Sequence, residues 1–127
     1  MQVPILKQGD YLIASIQAAL TDADLRQLRD DLVQRVGITR ARGVIIDVTA
    51  LDVLDSFASR TLSGIANMTR LRGAETVIVG IQPDVAFAMV QMGLRLEGVA
   101  TTLDLEEGLA LLTRQEGERG GRTRRAD

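Results

Sequence analysis

The stretch that decides the fold is Gly43-Val44-Ile45-Ile46-Asp47-Val48, an almost unbroken run of β-branched residues near the middle of the chain. Such a run is typical of a strand that is covered on both faces of a largely parallel sheet. A second run, Thr76-Val77-Ile78-Val79-Gly80-Ile81, follows downstream. A helical pattern separates the two runs, so the sequence predicts a strand–helix–strand unit with a right-handed crossover.

Two further strands are predicted near the start of the chain, over residues 3–7 and 11–16, with the turn residues Gln8-Gly9-Asp10 between them. Pro4 cannot donate a hydrogen bond to a neighbouring strand, which restricts the first strand to the edge of a sheet. The two strands are therefore expected to pair as a hairpin.

The first helix is predicted from its caps and from its apolar spacing. Thr21 and Asp24 form a capping-type pair at its start, and Gly37 is the expected C-terminal cap. Between them, apolar residues recur at helical spacing and define one buried stripe. These residues are Leu25, Leu28, Leu32 and Val36.

Three more helices and one more strand follow. The second helix is predicted over residues 56–72, and the third begins at Pro83, where a missing N–H costs nothing. A short strand over residues 99–103 precedes a fourth helix that is capped by Asp104.

The predicted order is therefore β-β-α-β-α-β-α-β-α. It indicates a single α/β domain over residues 1–114, with a mixed, mostly parallel sheet flanked by helices. Residues 115–127 are rich in Gly and Arg, and we expect them to form a disordered tail.

Composition limits the classes of function. The chain has 127 residues, of which 46% are hydrophobic, which fits one globular domain. The net charge of -2 gives no general attraction to nucleic acid. No apolar run approaches the about 20 residues that span a membrane. The first residues lack the features of a signal peptide, so we expect a cytoplasmic location.

The residues that most enzymes need are missing. The chain contains no His and no Cys, and it has neither a phosphate-binding loop nor a dinucleotide-binding glycine motif. Paired carboxylates such as Asp30-Asp31 lie on predicted helices and are expected to be solvated. We therefore expect a non-enzymatic protein without a cofactor or a metal ion.

One segment carries candidate functional residues: residues 52–60, which follow a buried strand and begin a helix. Partners and ligands tend to meet α/β folds at this place, and helix N-termini favour anions. A phosphate on a serine there adds about 1.5 to 2 negative charges without unfolding the helix. Ser56 is the first candidate for phosphorylation and Ser59 the second, whereas an ordinary helix cap at Asp55 or Ser56 is the structural alternative.

The neighbours of Ser56 also allow two interpretations. Phe57 belongs either to the core or to an exposed contact surface. Asp47 either caps the loop that follows its strand or joins Asp52 and Asp55 in an acidic rim that a kinase recognises.

The chain resembles STAS domains, the family of the bacterial anti-sigma factor antagonists, and among them the RsbS-type stressosome subunits. The resemblance covers about residues 3–114. It is carried by Pro4-Ile5-Leu6-Lys7, Ser15-Ile16-Gln17, Gly43-Val44-Ile45-Ile46-Asp47-Val48-Thr49, Asp55-Ser56-Phe57, Gly80-Ile81-Gln82-Pro83 and Met92-Gly93-Leu94.

The resemblance implies a role and a set of partners. RsbS-type proteins assemble with RsbR-type STAS sensor proteins in a large hetero-oligomer that holds an RsbT-type serine/threonine kinase. The kinase phosphorylates the scaffold and leaves, and an RsbX-type phosphatase resets it. The family's phosphoacceptor matches Ser56. From the acidic cluster around this serine we further expect a kinase-docking surface that involves Asp47, Asp52, Asp55 and Phe57.

Two other functions remain open at this stage. The chain would alternatively be an anti-sigma factor antagonist that binds an anti-sigma kinase directly, although such proteins tend to have Asp-Ser-Ser-Gly where this sequence has Asp55-Ser56-Phe57. The other alternative is a small enzyme or ligand-binding domain, which the missing His, Cys and phosphate loop disfavour.

Overall fold

The computed structural model describes residues 2–126, with side chains described for residues 2–117. The elements follow the predicted order of strands and helices. They are β1 (Ile5–Gln8), β2 (Tyr11–Ser15), α1 (Asp22–Thr39), β3 (Gly43–Asp47), α2 (Ser56–Leu71), β4 (Glu75–Val79), α3 (Pro83–Gln91), β5 (Ala100–Thr102) and α4 (Leu105–Ala126). Within the described residues, no helix is long and apolar enough to cross a membrane.

The strands form one five-stranded sheet in the order β1-β2-β3-β4-β5. β1 and β2 pair antiparallel as the predicted hairpin, while every later neighbour is parallel. The expected mixed, mostly parallel α/β fold is thereby confirmed. Because strands and crossover helices alternate, the carboxyl ends of β2 to β5 meet at one edge of the sheet.

The sheet is covered on both faces, and β3 lies at its centre. Val44 and Ile46 point into the larger apolar cluster, together with buried residues of α1, α2 and α3. Ile45 points to the other face, where Leu112 of α4 covers it. All three strand residues are fully buried. The continuous apolar run was therefore a correct indication of a strand with two covered faces.

The caps of α1 agree with the sequence at one end only. Thr21 and Asp24 form the predicted capping box, with both of its hydrogen bonds present. The predicted stop at Gly37 was wrong, because α1 continues to Thr39 and is capped by Arg40 with a φ of 55°. At Gly37 the missing side chain makes room for Arg72, whose guanidinium would lie 2.0 Å from an added Cβ.

The C-terminal helix packs further along the chain than the sequence indicated. The hydroxyl of Tyr11 donates a hydrogen bond to Glu116 at 3.0 Å, and Arg42 lies 3.4 Å from the same carboxylate. These contacts lie beyond Arg114, the predicted end of the domain. The expected disordered tail, residues 115–127, overlaps the last part of α4, but most of its side chains lie outside those that the structure describes, and its disorder stays a prediction.

At the carboxyl edge of the sheet, the loop after β3 is fastened to the end of β4. The side-chain amide of Gln82 donates to the Thr49 carbonyl at 2.6 Å. Gly80 has a φ of +83°, and an added Cβ would lie 2.0 Å from Oγ1 of Thr49. Glycine is needed there both for its backbone conformation and for the space it leaves.

We expect Gly80→Ala to destabilise the domain more than Gly73→Ala. Both glycines have positive φ, but an added Cβ at Gly73 has nothing within 4 Å. Gly73→Ala therefore measures the backbone strain alone, about 1–2 kcal/mol. Overlap with Thr49 should add at least about 1 kcal/mol to the loss in Gly80→Ala. Urea unfolding of both variants measures the difference, and equal losses would contradict the role of the Thr49 contact.

Candidate functional site

The candidate site is built around the first turn of α2. The Ala58 N–H donates to Oδ1 of Asp55 at 2.8 Å, and the Ser59 N–H donates to the Asp55 carbonyl at 2.9 Å. Asp55 is therefore the N-cap, and Ser56 is the first helical residue. Of the two capping residues that the sequence left open, the structure selects Asp55, so the hydroxyl of Ser56 is not needed to begin the helix.

The two candidate serines lie in opposite environments. Ser56 is exposed to solvent. Ser59 is only 2% exposed, on the buried side of α2 next to Leu62, and its hydroxyl has no hydrogen-bond partner within the described residues. The hydroxyl of Ser56 is therefore accessible in the folded domain, whereas Ser59 becomes accessible only if α2 moves away from the core.

Asp47 is engaged in the loop that follows its strand. Its Oδ1 accepts a hydrogen bond from the Thr49 N–H at 2.9 Å and a second one from the Thr49 hydroxyl at 2.6 Å. This geometry corresponds to the capping interpretation of Asp47. Of the three aspartates around Ser56, Asp52 is exposed and makes no hydrogen bond or ion pair among the described residues.

Phe57 serves mainly as a packing residue. Its ring is partly buried and contacts the larger apolar cluster. The guanidinium of Arg26 on α1 lies 5.7 Å from the ring centroid, within the range of a cation–π interaction. Phe57 thus fastens the start of α2 to α1, and a docking partner would meet only its outer edge.

An apolar groove of about 140 Å³ adjoins the cap of α2. Its walls come from the loop before α2, the first turns of α2, the segment between β2 and α1, and Leu25 of α1. Leu51 and Leu54 are buried in this loop, whereas Val53 is 69% exposed. The loop therefore presents one apolar and one acidic side chain to solvent, Val53 and Asp52, just before Ser56.

Two residues of this region were not predicted from the sequence. Thr49 connects Asp47, Gly80 and Gln82, and the spacing Asp-x-Thr after a buried strand was a signal for that turn. Arg60 is exposed one helical turn after Ser56, and the spacing of four residues was visible in the sequence.

The chemistry available here is that of an acceptor and a docking surface. No cluster of three or more acidic residues suited to a metal ion occurs in the described part of the chain. Ser56 offers an exposed hydroxyl beside acidic groups.

Comparison with known proteins gives consistent relatives. The model of the STAS domain matches residues 2–107 of this chain. The fold is similar to a serine-to-glutamate variant of RsbS from Moorella thermoacetica, with 37% identity, a TM-score of 0.77, and coverage of 90% of this chain and 97% of that chain. It is also similar to a chain in a structure of the stressosome, with 38% identity, a TM-score of 0.74, and coverage of 89% of this chain and 98% of that chain.

A further relative is the RsbT co-antagonist protein RsbRA of Bacillus subtilis, which is 29% identical over 84 residues. That match covers 66% of this chain but only 31% of the relative, so this chain spans about a third of the length of the curated relatives it matches. The family match covers most of the described domain, and two of the similar structures align over nearly their whole length. The chain belongs to the STAS domain family.

Proposed function

We propose that this chain is a non-enzymatic scaffold subunit of a stressosome, which sequesters an RsbT-type serine/threonine kinase and releases it when Ser56 is phosphorylated. The observation that carries the proposal is an exposed serine directly after the cap of α2, in a chain that is 37% identical to an RsbS. STAS domains and stressosome scaffolds are generally not enzymes, which agrees with the lack of His and Cys.

The docking surface that we propose consists of the loop 49–55 and the first turn of α2. Asp52 and Val53 are its exposed charged and apolar side chains. Asp55 and Ser56 lie at its end. Asp47 holds the loop by accepting hydrogen bonds from Thr49, and Phe57 holds the first turn of α2 against α1. A docked kinase would thus contact Asp52 and Ser56 directly, and Asp47 would act by shaping the loop.

The switch that we propose is electrostatic. The kinase transfers the γ-phosphoryl group of ATP to Oγ of Ser56, ADP leaves, and the hydroxyl proton is lost. The product carries about 1.5 to 2 additional negative charges beside Asp52 and Asp55. Like charges at an interface cost several kcal/mol, about enough to release a partner. An RsbX-type phosphatase would remove the phosphate and restore docking.

The partners that we propose are RsbR-type STAS proteins, the RsbT-type kinase and the RsbX-type phosphatase. The similarity to a stressosome chain and to a protein named as an RsbT co-antagonist supports the first two. The assembly would be a large hetero-oligomer in which this chain contributes a single STAS domain.

We expect one phosphate on Ser56 after incubation with ATP and an RsbT-type kinase from the same genome. Peptide mass spectrometry with fragmentation separates Ser56 from Ser59. Ser59→Ala should still be phosphorylated, because Ser59 is buried. Ser56→Ala should accept no phosphate, and a phosphate that persists in Ser56→Ala would contradict the assignment of the site.

Ser56→Asp should weaken kinase binding at least about tenfold, which corresponds to ~1.4 kcal/mol, whereas Ser56→Ala should retain the kinase. Binding is measured by pull-down and by titration. Asn67→Asp is the matched control, because it adds the same charge to an exposed position of α2 far from the N-cap. Equal retention of the kinase by the Ala and Asp variants at position 56 would overturn the switch.

Assembly provides a separate test of the scaffold role. Light scattering should give a large increase in particle mass when an RsbR-type partner is added to this chain, compared with either protein alone. An unrelated α/β protein of similar size serves as the control. If the masses of the mixture equal those of the separate proteins, the chain does not assemble with such a partner.

A further inference from the structure

The exposed face of α2 carries an arginine one turn after Ser56. Arg60 is exposed and makes no hydrogen bond or ion pair within the described residues. Ser56 and Arg60 are separated by four residues, so helical spacing brings them to the same face. Ala58 and Leu62 of the same helix point into the core instead. Arg60 is therefore available to a negative charge at position 56.

Helical geometry favours this pair. Side chains four residues apart have Cβ atoms about 5–6 Å from each other, and an acid that precedes its base is the better order. The guanidinium of Arg60 presents a planar fork of donors that matches a phosphate in bidentate geometry. Oδ1 of Asp55 accepts from the Ala58 N–H, and no ion pair joins Asp55 to Arg60 among the described residues.

The other charges around Ser56 come from three neighbouring segments. Asp52 and Asp55 precede it, and Arg26 on α1 is held over the ring of Phe57, which points in a different direction from Ser56. On the other side, Arg95 and Glu97 line a groove together with Arg60. The hydrogen bond from Arg70 to the Gly98 carbonyl fastens this segment to α2. Arg70 is more than three turns further along α2, so among these cations Arg60 alone lies one helical turn from Ser56 on the same helix face.

We propose that Arg60 binds the phosphate on Ser56 within the same chain. This inference rests on the phosphorylation of Ser56 in the proposed function, and its ligand is a phosphomonoester dianion. Phosphorylation would then change the docking surface in two ways. It adds negative charge at Ser56, and it draws Arg60 away from the groove, where the guanidinium is otherwise open to an acidic group of a partner.

The test uses the full chain with phosphoserine incorporated at position 56 during translation, so that no kinase is needed. Phosphorus NMR measures the second pKa of the phosphate, which is about 6 for an unpaired phosphoserine. Arg60→Gln should raise this pKa by about 0.3 units or more, because the cation that stabilises the dianion is lost. High salt should reduce the difference between the two proteins.

Two matched variants keep the test specific. Arg26→Gln and Arg95→Gln each remove one neighbouring guanidinium, and both should leave the phosphate pKa close to that of the parent protein. An unchanged pKa in Arg60→Gln would overturn the inference, and so would a larger rise in Arg26→Gln. Failure of a kinase to modify Ser56 would instead count against the proposed function, since the phosphate in this experiment does not depend on it.

Discussion

The structure depends on the burial of β3 on both faces. Val44, Ile45 and Ile46 have no exposed surface, and apolar side chains from opposite layers cover them. A strand in this position can pair its backbone only with neighbouring strands, and these are β2 and β4, which both run parallel to it. The chain can change direction only beyond the strand ends. The first polar turn after β3 is therefore held in place by the core.

The turn after β3 and the cap of α2 determine which acidic side chains have no structural hydrogen bond. Asp47 is the last residue of β3, and its carboxylate binds the backbone and hydroxyl of Thr49. Asp55 binds the Ala58 N–H and begins α2. Two of the three aspartates in this region thus have structural tasks. The exposed polar groups that remain for recognition, Asp52 and Ser56, lie on backbone whose course is fixed by these bonds.

The sequence predicted the order of elements well, because buried strands and capping boxes are local signals. The β-branched runs marked β3 and β4, and Thr21 with Asp24 marked the start of α1. The predicted end of α1 was wrong, because Gly37 lies within the helix, where its lack of a side chain leaves space for the guanidinium of Arg72 at the end of α2. The contacts of Glu116 with Tyr11 and Arg42 are equally remote in sequence. Both depend on tertiary packing, which local patterns do not contain.

The candidate site shows the same division between local and remote information. The sequence predicted Asp55-Ser56 at the start of a helix. Once the first residue of the helix is known, helical spacing also separates the exposed Ser56 from the buried Ser59. Ser59 lies three residues before Leu62 and shares its burial, so a phosphate there would have to enter the core. A phosphate on Ser56 leaves the cap of Asp55 and the packing of Phe57 unchanged. The proposed switch at this position would act on the charge of the surface and not on the fold, so that the chain could change partners without unfolding.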